Sequence, residues 1–169
     1  LHGPEKLAGV IRDHLKYFGP LPFQLNTHYP DKEKDLPFFE DEKVTVQSIP
    51  LKHRTETYGY LFREKQRSLN LRKEAISEYQ LGIADRVRIK EGADFIMPDG
   101  TIIPNKELTL PPYRVRSYAY ISDSQFDPEL VPLVKGVDLL YHEATFSQEK
   151  EKDAHEKFHS TAREAAIIA

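Results

Sequence analysis

Two extended stretches joined by a short helix constrain this chain more than any other feature. Arg116 to Ile121 alternates large and small residues and is rich in tyrosine, the pattern of a buried strand. Asp127-Pro128-Glu129 then opens a helix, with Asp as the cap and Pro at the first position. Leu130, Val131, Leu133 and Val134 carry that helix to Gly136, and Val137-Asp138-Leu139-Leu140-Tyr141 follows as an apolar run of the kind found in strands buried on both faces. A strand–helix–strand unit makes its two strands parallel through a right-handed crossover, which places the chain in the α/β class. In such sheets ligands bind at the carboxyl ends of strands, because the loops there can carry polar groups that no core could. Asp123 ends the first strand, and His142 and Glu143 end the second. A carboxylate on a rigid strand end is a good hard ligand for a divalent metal, and an equally good cap for the helix that follows.

The remaining segments build around this unit. Gly3-Pro4-Glu5-Lys6 opens a helix whose apolar face is Leu7, Val10, Ile11, Leu15 and Phe18, and Gly19-Pro20 stops it. His14 falls on its polar side. Leu21 to Phe39, rich in proline and aromatics, reads as a packed connector. Lys43 to Ile49 alternates like a strand, Thr57 to Arg63 reads as its antiparallel partner, and His53 lies between them. The stretch 63–112 differs in character: Arg63, Lys65, Arg67, Arg72, Lys73, Arg86, Arg88 and Lys90 stand among polar residues with few large apolar groups. Asn70 can cap a helix through Tyr79 that Gly82 ends, and Asp94 to Pro104 reads as a hairpin around Asp99-Gly100. Such a stretch buries little apolar area and is expected to project as an inserted arm. Its cations could hold a phosphate backbone, or it could be a solvated surface insertion, since Glu64, Glu74, Glu78, Asp85 and Glu91 dilute them. Ser147 to Lys157 reads as a charged loop. Thr161 and Glu164 have capping-box spacing at the start of a last helix, just after His159.

Composition removes several chemistries. With no cysteine in 169 residues, disulfides, thiolate metal sites and cysteine nucleophiles are excluded, in keeping with a reducing cytoplasm. No apolar run approaches the ~20 residues of a membrane span, and a net charge of -3 does not by itself announce a nucleic-acid partner. No glycine-rich phosphate loop and no Gly-x-Ser-x-Gly elbow is present. His53, Asp123, His142 and His159 could converge at one sheet edge, and histidine with carboxylate at strand ends suits zinc-assisted hydrolysis; spacing alone does not decide which histidines bind metal. The first residues lack an initiator Met and the last helix lacks a stop signal, so a segment of a longer protein is expected.

Several motifs, in order across nearly the whole chain, resemble ribonuclease Z, the metallo-β-lactamase-fold endonuclease that removes the 3′ trailer from precursor tRNA. They are Pro50-Leu51-Lys52-His53-Arg54 with Tyr58-Gly59-Tyr60, Leu110-Pro111-Pro112, Ser122-Asp123-Ser124, Tyr141-His142-Glu143-Ala144-Thr145-Phe146 and His159-Ser160-Thr161. The resemblance implies a partial αββα sandwich over 1–169, with 63–112 as the arm that grips tRNA. It implies His53 as a ligand of one zinc, Asp123 as the bridge between two, and His159 as a non-ligand that assists at the scissile phosphate. His142 and Glu143 match the motif in a positioning or structural role, and the resemblance also implies a homodimer in the complete protein. The family's His-x-His-x-Asp-His motif is absent, as is its late histidine, so this chain alone is expected to be catalytically incomplete and its zinc site incomplete or empty. The arm also lacks the family's Gly-Pro-rich tip. Two other readings compete: a binding module for RNA or a partner subunit without chemistry, and a metallo-hydrolase of the same fold acting on another ester.

Overall fold

The computed structural model describes residues 1–30 and 37–169. In chain order the elements are α1 (Glu5–Phe18), β1 (Phe39–Glu40), β2 (Val44–Leu51), β3 (Thr57–Glu64), β4 (Asn70–Leu71), α2 (Lys73–Glu78), α3 (Ile83–Lys90), β5 (Phe95–Ile96), β6 (Ile102–Ile103), α4 (Asn105–Leu108), β7 (Thr109–Leu110), β8 (Ser117–Ile121), α5 (Leu130–Val134), β9 (Leu139–His142), α6 (Glu151–Glu156) and α7 (Ala162–Ile168). They form two compact units, one comprising Leu1–Glu64 with Arg116–Ala169 and the other Lys65–Val115.

The first unit is built on a five-stranded sheet of order β1-β2-β3-β8-β9. β2 and β3 are antiparallel from Val44↔Glu64 to Leu51↔Thr57, and β3 and β8 are antiparallel from Tyr60↔Tyr120 to Arg63↔Ser117. β8 and β9 are parallel, from Tyr118↔Leu139 to Ile121↔His142, as the strand–helix–strand pattern predicts. Two reversals make β2 run in the same direction as β8 and β9. Their carboxyl ends therefore share one edge, and that edge carries His53, Asp123 and Glu143.

Alternation sorts the side chains between two faces. Ile49, Leu61, Ala119 and Ile121 point to one face and form a core with Leu130 and Val134 of α5 and Ile168 of α7. The other face carries an aromatic ladder, with Phe62 stacked on Tyr118 at 5.9 Å and Tyr120 on Tyr141 at 4.8 Å. β9 departs from expectation. It lies at the sheet edge, where Leu139 is 63% and Tyr141 47% exposed, rather than buried on both faces. Gly59 is needed where β3 passes β8, since a Cβ there would sit 2.6 Å from the Tyr120 carbonyl.

The stretch 21–39 lies partly outside the described residues. Its described part is mostly exposed rather than packed, with Phe23 63% and Tyr29 47% accessible. Pro22, Pro30 and Pro37 leave it short of backbone donors.

The second unit has a core of its own, against the expectation of little apolar burial: Ala75, Leu81, Ile89 and Leu108 are buried and flanked by Leu71, Ile76, Tyr79, Phe95 and Ile103. Asn70 lies in β4 rather than capping a helix, the helix begins at Lys73, and Gly82 precedes α3 instead of ending α2. The β5–β6 hairpin forms as expected, with the Asp99 carboxylate accepting from Thr101 N–H at 2.9 Å. The excursion to this unit leaves and rejoins the sheet at one place. Glu64 N–H donates to the Arg116 carbonyl at 2.9 Å, and Arg116 N–H donates to the Glu64 carboxylate at 3.0 Å. Finally, the stretch read as a charged loop folds as a 3-10 turn, Gln148–Lys150, followed by α6. Its one buried side chain, Ala154, is too small to register as hydrophobic periodicity.

Candidate active site at the carboxyl edge of the sheet

Glu143 is the hub of the edge. It follows β9, is only 6% exposed, and both carboxylate oxygens are occupied. Oε1 accepts from Ser124 N–H at 3.0 Å, Ser160 N–H at 3.3 Å and His159 Nδ1 at 2.8 Å, while Oε2 accepts from Thr145 N–H at 3.0 Å. Burial pushes this carboxyl up, but the bonds from Thr145, His159 and Ser124 together outweigh it and hold the group below its ordinary value. Glu143 is thus a fixed anion.

That anion orients the ring of His159. Because a carboxylate can only accept, Nδ1 of His159 carries the proton and donates, which leaves Nε2 free for chemistry. His53 lies alongside, its ring centroid 5.3 Å from that of His159. His53 Nδ1 donates to the Phe158 carbonyl at 3.0 Å, again leaving Nε2 uncommitted. A carbonyl on one ring nitrogen is the arrangement that fixes a ligating histidine with the other nitrogen toward a metal.

The Asp123 loop is fastened to the same group through its backbone. Asp123 is exposed and adopts φ +46 at the end of β8, a left-handed conformation that turns the chain sharply out of the strand. Ser124 N–H binds Glu143, the Ser124 carbonyl accepts from Ser160 Oγ at 2.7 Å, and Gln125 N–H donates to the Lys52 carbonyl at 2.8 Å, next to His53. Lys52 Nζ also reaches the buried Asp127 carboxylate at 2.8 Å. The capping role expected of Asp127 appears as acceptance from Glu129 N–H at 3.1 Å, with α5 beginning only at Leu130.

His142 stands apart. Its Nδ1 donates to the Glu143 carbonyl at 2.7 Å, and its buried Nε2 has no hydrogen-bond partner among the described residues. The edge therefore brings together His53, Glu143 and His159 by direct contact, and Asp123 by its neighbours.

Ser124 and Ser160, both fully buried, stand inside the quoted motifs, but the sequence assigned them no role. Small hydroxyl residues in loops give no periodic signal. Thr145 likewise had no role assigned, and Glu164, expected only as part of a capping box, also accepts at 2.6 Å from Nε2 of His155, a residue the sequence did not mark.

Metal-binding capacity follows from the donor count. His53 Nε2 and an Asp123 oxygen are suitable donors for zinc, which takes four ligands. Among the described residues, the only three His, Asp or Glu donors close enough together for a metal are Glu151, His155 and Glu164, a group separate from His53 and Asp123. His53 and Asp123 are thus two donors of the kind zinc takes, and no third His, Asp or Glu donor gathers with them among the described residues.

The cations of 63–112 are dispersed in their commitments. Arg63 lies on β3 and bonds the Gln47 side chain. Arg86 donates to the Leu81 carbonyl at 2.8 Å, and Arg88 pairs with Asp85 at 2.6 Å. Arg67, Arg72, Lys73 and Lys90 are exposed and Lys65 is half-buried, with Lys65 and Arg67 also engaged in interactions. No helix among the described residues is long and apolar enough to cross a membrane.

No family model matches the chain. It is 47% identical over 170 residues to a protein named ribonuclease Z from Porphyromonas gingivalis strain W83, covering 100% of this chain and 56% of that protein. It is 43% identical to the ribonuclease Z of Parabacteroides distasonis, covering 100% of this chain and 56% of that protein, and 39% identical to that of Bacteroides thetaiotaomicron, covering 100% and 54%. Among solved structures it resembles human tRNase Z, short form, with a TM-score of 0.59 at 20% identity over 99% of this chain and 54% of that one, a likeness that gives the metallo-β-lactamase fold. The chain spans about half the length of the curated relatives it matches. From its first residue to its last, this chain is homologous to about half of ribonuclease Z.

Proposed function

We propose that the chain is part of a zinc-dependent endoribonuclease that cuts the 3′ trailer from precursor tRNA. The observation that carries the reading is the His159–Glu143 bond beside His53, at the edge where three strands end, in a chain whose relatives are named ribonuclease Z. His53 and Asp123 would hold zinc in the complete site, and zinc would supply hydroxide and polarise the phosphate. Glu143 fixes His159 so that Nε2 faces the reaction and handles the proton of the leaving oxygen. His142 is structural. Arg72, Lys73 and Lys90 supply phosphate contacts, together with Lys65, Arg67, Arg86 and Arg88 of the same unit, and Arg63 on β3 is a further cation of the stretch. The protein works in the cytoplasm, as a homodimer in its complete form.

The test is trailer cleavage by the longer protein that carries this segment. His159→Ala is expected to slow cleavage about 100-fold or more, the usual contribution of a positioned proton-transfer group, with tRNA binding unchanged. A cleavage rate within about threefold of the unsubstituted protein would remove His159 from the chemistry. The 169-residue chain alone is expected to hold less than one zinc and to cleave nothing; tightly held zinc lost in Asp123→Ala, or measurable cleavage, would show its site to be complete.

A further inference from the structure

Phe158, which precedes His159, is held at φ +62, a left-handed conformation that a bulky side chain avoids unless its surroundings impose it. The turn it forms has two outputs. Its carbonyl orients His53, and its next residue is the ring that meets Glu143. On one side it is anchored to α6, where Phe158 N–H donates to the His155 carbonyl at 3.2 Å and His159 N–H to the Ala154 carbonyl at 2.9 Å. On the other side stands α7, whose capping box joins Thr161 and Glu164: Glu164 Oε2 accepts from Thr161 N–H at 2.8 Å and from Thr161 Oγ1 at 2.9 Å.

The remaining oxygen of Glu164 closes the loop. Oε1 accepts from His155 Nε2 at 2.6 Å, so one buried carboxylate ties the last turn of α6 to the first turn of α7 across 157–161. Both oxygens of Glu164 are thereby committed. This makes the pair a clasp, although Glu151 lies close enough to complete a set of three donors.

We propose that His155 and Glu164 are positioning residues for the candidate active site: their bond keeps Phe158 in its left-handed turn and so fixes His53 and His159 together. The proposal rests on reading His159 as a functional group. Nothing else in the sequence marks His155, which is half-buried on a short charged helix.

The test is histidine-ring NMR on the 15N-labelled chain at neutral pH, following the tautomer and the solvent exchange of the His159 Nδ1 proton. In the unsubstituted chain His159 is expected in the Nδ1–H tautomer with a slowly exchanging proton. His155→Ala is expected to speed that exchange at least 10-fold and to disperse the His53 ring signal. Amide exchange at Leu61 and Ala119 in the sheet core should stay unchanged. His155→Gln, whose amide can still donate to Glu164, should restore slow exchange. Unchanged His159 exchange in His155→Ala overturns the proposal, as does a loss of protection that spreads to Leu61 and Ala119. The measurement needs no substrate. If His159→Ala leaves trailer cleavage intact, the functional reading falls while the clasp stands or falls on its own.

Discussion

Replacing Glu143 by Gln tests whether a buried anion organises the sheet edge. The amide oxygen can take the place of Oε1 and keep the three donors Ser124 N–H, Ser160 N–H and His159 Nδ1–H. Its NH2 then meets Thr145 N–H, donor against donor, and that bond is lost. A neutral acceptor also makes each retained bond weaker by roughly 0.5–1 kcal/mol. Those losses total about 3 kcal/mol, and the lower desolvation cost of an amide returns part of it, which leaves a net loss of about 2 kcal/mol at pH 7. With a urea slope on the order of 2 kcal/mol per molar, the midpoint falls by about 1 M. The chain has no tryptophan, so the assay is urea unfolding followed in the tyrosine circular-dichroism band, to which Tyr118, Tyr120 and Tyr141 of the sheet contribute. The pH dependence has a definite sign. The folded carboxyl titrates below its ordinary value of 4.5, so its contribution is complete above that pH and is lost as pH falls through the folded value. The gap between the two proteins should therefore close as pH falls below 4.5. A midpoint shift below about 0.2 M at pH 7, or a gap that persists unchanged in acid, would refute the account of Glu143 as a charged hub.

Gly59→Ala should lower stability by roughly 1–3 kcal/mol, because its Cβ would fall 2.6 Å from the Tyr120 backbone carbonyl, which cannot swing aside; an unaltered melting temperature would contradict that packing. Neutralising Arg72, Lys73 and Lys90 together should weaken binding of tRNA to the chain and flatten its logarithmic salt dependence by about 2, at roughly 0.7–0.9 per lost phosphate contact. A salt slope unchanged from the starting chain would exclude these three as phosphate contacts.

The parallel β8–β9 pair, the β2–β3 hairpin, α1, the β5–β6 turn and the Thr161–Glu164 capping box were all legible, because each depends on a local pattern: alternation, an amphipathic face, Asp-Gly, or fixed cap spacing. What escaped the sequence depends on neighbours brought from elsewhere. The run at Val137–Tyr141 is apolar enough for a central strand, yet its place in the sheet is set by strand order, which leaves Leu139 and Tyr141 exposed. α3 was signalled by Asp85 in its first turn and by Arg88 and Lys90 in its last, but Ile83 and Val87 are exposed and blur its apolar face. At the site, strand-end logic and family resemblance drew attention to His53, Asp123, Glu143 and His159. The buried serines that lock those loops together carry no pattern, since their bonds run to backbone atoms far away in sequence.

The adjoining of Glu64 and Arg116 bears on how the chain folds. Pairing β3 with β8 across a separation of 52 residues costs about 2 kcal/mol more in chain entropy than closing a tight turn, at roughly 0.6 kcal/mol per doubling of loop length. The second unit removes that handicap from within. Its entering and leaving strands pair as Asn70↔Leu110 and Leu71↔Thr109 over a private core, so once it has folded it presents the sheet with two chain ends already brought together. The loop left to close for the longest-range pairing in the sheet is then correspondingly shorter. The content of the insertion is free to vary, provided that it folds early and returns the chain to where it left.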